Sequence, residues 1–523
     1  MKLQGLGRSA LALGVASVAL VTAGTGRAAE KPGSAHVQCD GQPNNVTTGE
    51  TAARLIGAVT LLGLFAPGPE APDASKRKFG AAGVAACTSL IEGEAREGND
   101  SRRLGLILGR AIHQIEAKDY QAAIADVALA RREAEAAGLT ANPYFMRSRG
   151  RAFDLVESAA LLRMGRAAEA RAVSLRNAGE LQYSPFALLG TPTFAGMIPT
   201  PSEEEDRLLQ WQSRLVPFAA TQRADRLDLA GRFADSARVR DAFVEFDAEH
   251  SPEINSSVAI ARAAVAHALA GDAAAAAERA KAARANAEKR KSEGKPEADT
   301  AEFVELMDLY QILETARGGD AKAARRLFAA RSQWVAASLG SVMEVNRRLR
   351  QGAAPDELIG GLARDGDKLW SEHAETNRAA LLAKDSDNKT LFALTPGLRP
   401  ASAYEALSKN VWRTDKSKMV LKPKAANPAK SKMELMFLPL VDPTTAMEAY
   451  VMHAALLARS RGHEGFVFMP IIADNIVAAS FRTGDRGQKG FPEDLFIPAA
   501  DVIAKLAAVI PDPTKLQQRR EKP

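Results

Sequence analysis

Ala117-Lys118-Asp119-Tyr120-Gln121-Ala122-Ala123-Ile124 is a stretch that stops one helix and starts the next. Variants of it recur as Met164-Gly165-Arg166-Ala167-Ala168-Glu169-Ala170, Ala230-Gly231-Arg232-Phe233-Ala234-Asp235-Ser236, Ala270-Gly271-Asp272-Ala273-Ala274-Ala275-Ala276 and Gly318-Gly319-Asp320-Ala321-Lys322-Ala323-Ala324. Glycine takes the left-handed backbone conformation that closes a helix, because it has no Cβ to clash. An aspartate just after it caps the following helix by accepting from a free N–H. A small residue four or five positions on lets the two helices approach closely. The unit this specifies is a helical hairpin.

Around these turns, nearly everything from Phe79 to about Ala383 has helical periodicity, and alanine, the strongest intrinsic helix former, is heavily used. One hairpin cannot bury its own apolar face, so neighbouring hairpins must stack. Hydrophobic residues make up 46% and charged residues 25% of the 523, ordinary for a folded chain and too long for one core.

Gly83-Val84-Ala85-Ala86-Cys87-Thr88-Ser89-Leu90-Ile91, followed by Lys118-Asp119-Tyr120-Gln121-Ala122-Ala123-Ile124-Ala125-Asp126, resembles exported bacterial tetratricopeptide-repeat proteins. The resemblance covers roughly residues 80–335 and implies an α-solenoid that binds a protein or peptide partner. The turns start at 118, 165, 231, 271 and 319, so their spacings are 47, 66, 40 and 48 residues. That repeat has a period of about 34. The repeats therefore read as degenerate, or the array as another kind of α-solenoid.

The longest spacing holds an insertion from Ser184 to Ser202 whose four prolines argue against a helix. Its Phe186, Leu188, Leu189, Phe194, Met197 and Ile198 are apolar, and long loops in compact arrays tend to be functional. Two readings stand: a partner-binding loop, or a segment folded back to plug a groove in its own array. Ser202-Glu203-Glu204-Glu205 then forms a capping box for the next helix. Residues 273–298, alanine-rich and ending in mixed charge, read as a solvated hairpin tip.

Residues 1–28 have the layout of a cleaved signal peptide, with Lys2 and Arg8 leading an apolar stretch from Ala10 to Val21 and small residues at Gly26-Arg27-Ala28-Ala29. The expected location is periplasmic or secreted. Loss of Lys2, Arg8 and Arg27 lowers the net charge from +6 to about +3, which does not support nucleic-acid binding. In an oxidising compartment the pair Cys39 and Cys87 reads as a disulfide, with two free thiols as the alternative. Thr51 to Ala66 is an apolar run too short to span a bilayer comfortably, so it reads as a buried or docking helix. Peripheral membrane association is the less favoured use of it.

After about residue 385 the chain changes character. Lys416, Lys418, Lys422, Lys424, Lys430 and Lys432 mark a basic linker. Strands are expected at Met433–Pro439, Gly465–Pro470 and Ile476–Arg482, with an amphipathic helix from Thr444 to Gly462 and a final helix from Pro498 to Ile510. The glycine-rich run Gly484 to Gly490 reads as a mobile hairpin loop rather than a phosphate site, since no helix N-terminus is expected beside it.

The expected fold is thus mostly α: a tetratricopeptide-like α-solenoid of helical hairpins followed by a small C-terminal α/β domain. The expected divisions are a signal peptide (1–28), leader and capping helices (29–100), the repeat array (101–385), a basic linker (386–432), the α/β domain (433–511) and a polar tail (512–523). No G-x-S-x-G, H-E-x-x-H, Walker or G-x-G-x-x-G motif occurs. The seven histidines, at 36, 113, 250, 267, 373, 453 and 463, do not pair at helical ligand spacing. No catalytic, cofactor-binding or metal-ligating residue is assigned, and the expectation is a binding or scaffold protein of the cell envelope rather than an enzyme. The rival is an envelope hydrolase whose site lies between the array and the C-terminal domain.

Overall fold

All five signature turns have the same backbone in the computed structural model. Lys118, Gly165, Gly231, Gly271 and Gly319 each have a positive φ, from 64° to 92°. In each turn the N–H of that residue bonds the carbonyl three residues back and the next N–H bonds the carbonyl five back, as with Gly231 to Asp228 at 3.0 Å and Arg232 to Leu227 at 2.8 Å. The side chains of Asp119, Asp272 and Asp320 cap the helices that follow. Five positions beyond each turn residue stand Ala123, Ala170, Ser236, Ala276 and Ala324, all fully buried where the paired helices meet.

The structure describes residues 33–44, 72–94, 96–142, 145–251, 256–294, 300–383, 391–394, 424–425, 433–439, 443–473 and 476–509. The expected signal peptide, the Thr51–Ala66 run, most of the basic linker and the polar tail lie outside them. The chain divides into two compact units, which we call the disulfide unit (14–176 and 380–405) and the sheet unit (1–13, 177–379 and 406–523).

The disulfide unit contains α1 (Ala35–Asp40), α2 (Gly80–Ile91), α3 (Asp100–Glu116), α4 (Tyr120–Ala136), α5 (Arg151–Arg163) and α6 (Ala167–Leu175). Helices α3 and α4 form one hairpin, α5 and α6 the next, and α4 packs on α5. Helix α3 is buried nearly all round, from Leu104 to Ile115, and its Arg102, Arg103 and Arg110 are buried with it. Each of these arginines meets a carboxylate: Arg102 meets Asp40 at 2.6 Å, Arg103 meets Glu133 at 2.8 Å and Arg110 meets Asp126 at 2.7 Å. Such pairs are costly to break singly, by roughly 3–5 kcal/mol, because the charge left behind stays buried. The Cys39–Cys87 disulfide ties α1 to α2. In the chain-entropy account a loop of 48 positions contributes on the order of 3–4 kcal/mol.

The sheet unit begins with α7 (Pro185–Leu189), α8 (Glu203–Leu215), α9 (Ala219–Leu229) and α10 (Phe233–His250). It continues with α11 (Ser257–Ala270), α12 (Ala273–Ser292), α13 (Thr300–Arg317), α14 (Ala321–Ala329), α15 (Leu339–Arg350) and α16 (Gly366–Leu382), the last of which runs on past residue 379. The pairs α9–α10, α11–α12 and α13–α14 are hairpins, with α10 on α11 and α11 on α13. Helix α12 buries only one stripe, Ala276, Ala280 and Ala283, in keeping with a solvated hairpin arm.

The same unit holds a five-stranded antiparallel sheet in the order β1-β2-β4-β3-β5. The strands are β1 (Lys424–Ala425), β2 (Glu434–Pro439), β3 (Gly465–Ala473), β4 (Ile476–Gly484) and β5 (Ile497–Pro498), with helices α17 (Pro443–Ser460) and α18 (Ala499–Leu506). One face of this sheet packs on the helices before it: Met433, Val467, Phe491, Leu495 and Phe496 share a core with Ala220, Ala224, Leu227, Val239 and Phe246 of α9 and α10. Alternation along β3 turns Phe466 and Phe468 to the opposite face, where α17 packs. One expectation is corrected here, since helix α17 is not amphipathic in place. From Met447 to Val451 every residue is buried, as befits a helix covered on all sides.

Candidate binding site

The insertion of the sheet unit is folded down onto its own helices. Pro185 starts the short helix α7, a correction to the all-irregular reading, because proline is tolerated in a first helical turn. Leu188 is fully buried, and its carbonyl accepts from Gln212 Nε2 at 2.7 Å. Leu189, Phe194, Met197 and Ile198 are half-buried, and Phe186 lies on α7. Arg226 of α9 holds the loop from beneath. Its guanidinium donates to the carbonyls of Ala195 and Ile198, each at 3.1 Å, and pairs with the fully buried Glu205 at 2.7 Å. Gly196 sits so close to Asn377 of α16 that a Cβ there would lie 2.6 Å from its side chain. Ser202 caps α8 through the Glu205 N–H, while the Glu205 carboxylate turns inward to Arg226.

The glycine-rich run after β4 is anchored rather than mobile. The Gly490 N–H donates to Glu245 at 2.7 Å, the Gly490 carbonyl accepts from His250 at 2.7 Å, and Lys489 pairs with Glu249. All three partners are on α10, so carboxylates line the contact, which argues against a phosphate there.

A cleft of about 260 Å³ opens where the C-terminal end of α8 meets β5 and the start of α18. Helix α8 presents Trp211, Arg214 and Leu215, a face set by i, i+3 and i+4 spacing. Gln182 and Tyr183 enter from the turn before α7, and Ile497, Pro498 and Asp501 from β5 and α18. Leu215 and Ile497 are almost fully buried, and the exposed pair Lys505–Glu180, at 3.2 Å, joins α18 to the turn that carries Tyr183. Burial pulls the Arg214 pKa below its usual value, and the neighbouring Arg223 and Arg486 add to this against Glu493 and Asp494. Burial pushes the Tyr183 hydroxyl above its usual value, helped by the charge of Asp501 and opposed by a Gln182 hydrogen bond and by Arg214.

No protein family, curated protein or solved structure matches this chain. What the site can do must therefore be read from its own groups. Among the described residues no group of three or more histidines, cysteines or carboxylates is placed to hold a metal ion. The cleft residues escaped sequence reading because Gln182, Tyr183, Trp211, Arg214 and Asp501 come from three separate segments. The one local signal was Trp211, a scarce residue in a chain with four tryptophans.

Proposed function

We propose that this is an exported, tetratricopeptide-like binding or scaffold protein of the cell envelope whose helical hairpins engage a protein or peptide partner. One observation carries the reading: the five turns have one hydrogen-bonding pattern, and each is followed five positions on by a fully buried small residue. Hairpins built to one plan, each packed on the next within its own unit, suit an extended binding surface. The Cys39–Cys87 disulfide is compatible with export. No helix among the described residues is long and apolar enough to cross a membrane.

The test is expression of the full chain with photo-crosslinking residues on the exposed faces of α12 and α14, followed by recovery from the periplasm. A protein or peptide cross-linked through these helices supports the reading. Absence of the chain from the periplasm and medium, or recovery of a small metabolite turned over in vitro with no protein partner, overturns it. The hydrolase reading has one observation in its favour, the position of the cleft between α8 and the β5–α18 corner. Hydrolysis of envelope-derived esters, amides or glycosides that is lost with Tyr183→Phe would favour it.

A further inference from the structure

The carboxylates around Arg214 are already taken. Asp494 is paired with Arg223 at 2.8 Å and also with Arg238, and Glu493 is paired with Arg486. Arg214 is the surplus cation. It makes no ion pair or hydrogen bond with a described residue, and its Nε is shut away from solvent without an acceptor. A partly buried guanidinium in this state lacks the planar, two-oxygen acceptor that it is shaped to grip. Across the cleft, Asp501 is exposed and has no cation paired with it among the described residues, while Tyr183 feels the charge of both groups. Trp211 and Leu215 supply apolar lining in the same cleft.

We propose that this cleft binds a free apolar α-amino acid, with its carboxylate on Arg214, its ammonium toward Asp501 and its side chain against Trp211 and Leu215. The chemistry excludes the simpler occupants. An inorganic anion would leave Asp501 repelling it, and an amine alone would leave Arg214 unanswered. Size agrees, since a cavity of about 150 Å³ suffices for benzene and this cleft has about 260 Å³. Gln182 and Tyr183 line the same cleft and are hydrogen-bonded to each other. This inference does not rest on the hairpins binding a partner, and either can fail without the other.

The test is calorimetric titration of the full mature chain with L-leucine, leucinamide, N-acetyl-leucine and glycyl-leucine, with Trp211 fluorescence as a second readout. L-leucine is expected to bind, and leucinamide and N-acetyl-leucine each to bind at least tenfold more weakly. Arg214→Met is expected to abolish leucine binding and Arg214→Lys to weaken it at least tenfold, since a point charge replaces the fork. Asp501→Asn, at an exposed position, is expected to weaken leucine but not N-acetyl-leucine. Unfolding temperatures of the variants without ligand separate lost binding from lost folding, and leucine should raise that of the parent chain alone. Equal binding of leucine and leucinamide, binding of glycyl-leucine alone, or no binding of any probe at millimolar concentration overturns the proposal.

Discussion

Nε2 of His113 lies 2.6 Å from the carbonyl oxygen of Cys39, so the imidazole of α3 grips the backbone at the disulfide itself. The other ring nitrogen meets Glu116 at 2.8 Å, and the Glu116 carboxylate also accepts from the Gly80 N–H at 2.9 Å. One fully buried side chain thereby joins α1, α2 and α3. Space for it exists only because residue 83 is glycine: a Cβ there would lie 2.4 Å from the ring. We expect Gly83→Ala to destabilise the disulfide unit by about 1–3 kcal/mol, whereas Gly98→Ala, with nothing within 4 Å, should be near neutral. Denaturant unfolding checks both, and equal midpoints would refute the close fit.

The turns permit a cleaner comparison. A Cβ added at Gly165, Gly231, Gly271 or Gly319 would meet nothing within 4 Å, so these glycines serve backbone conformation and not space. Lys118 occupies the same conformation with φ 64° and bears its strain. Left-handed backbone costs an ordinary residue roughly 1–2 kcal/mol, part of which glycine returns through its freer unfolded state. Lys118→Gly is therefore expected to stabilise the disulfide unit by about 0.5–1 kcal/mol, and Gly271→Ala to destabilise the sheet unit by about 1 kcal/mol. Unfolding curves in which both substitutions shift stability in the same direction would contradict this.

These same turns explain how far the fold could be read from residues alone. Glycine, aspartate and a small residue at fixed offsets are local requirements, so each hairpin was legible, as was the disulfide from the only two cysteines. Strands β2, β3 and β4 were legible as short apolar runs. What local pattern does not encode is which elements share a core. Phe491 and Phe496 pack against Phe246 across more than two hundred residues, and nothing near any of them announces it. The cleft was hidden for the same reason, since Arg214 and Asp501 become neighbours of Tyr183 only once the chain has folded.

Acid should weaken the protein in a defined window. Hydrogen bonding from Arg110 holds the Glu92 carboxyl below its ordinary 4.5. Burial pushes Glu344 up from the same 4.5, but hydrogen bonds from Arg347 and Arg348 outweigh it and bring it down. A carboxyl whose folded-state value is depressed stabilises fully above its unfolded value and loses that stability as pH falls through the folded one. These two groups should leave the unfolding temperature unchanged between about pH 7 and 5 and add to its decline below about 4.5. Glu92→Gln with Glu344→Gln should make that acid limb shallower, and an unaltered limb would rule the two groups out.

The loop over α9 offers a test of what holds it in place. Arg226 pairs with the fully buried Glu205, and the same guanidinium holds the Ala195 and Ile198 carbonyls. Arg226→Met would remove the paired cation from a buried carboxylate, a loss of up to roughly 3–5 kcal/mol. Adding Glu205→Gln removes that charge and should restore a large share of the stability, while leaving the two loop carbonyls without their donor. The two variants thus separate the ion pair from the loop clamp. Both should be cut by chymotrypsin within residues 186–201 faster than the parent chain, even where the double variant regains its unfolding midpoint. If cleavage instead tracks global stability and recovers in the double variant, the loop is held by its apolar contacts and the clamp is incidental.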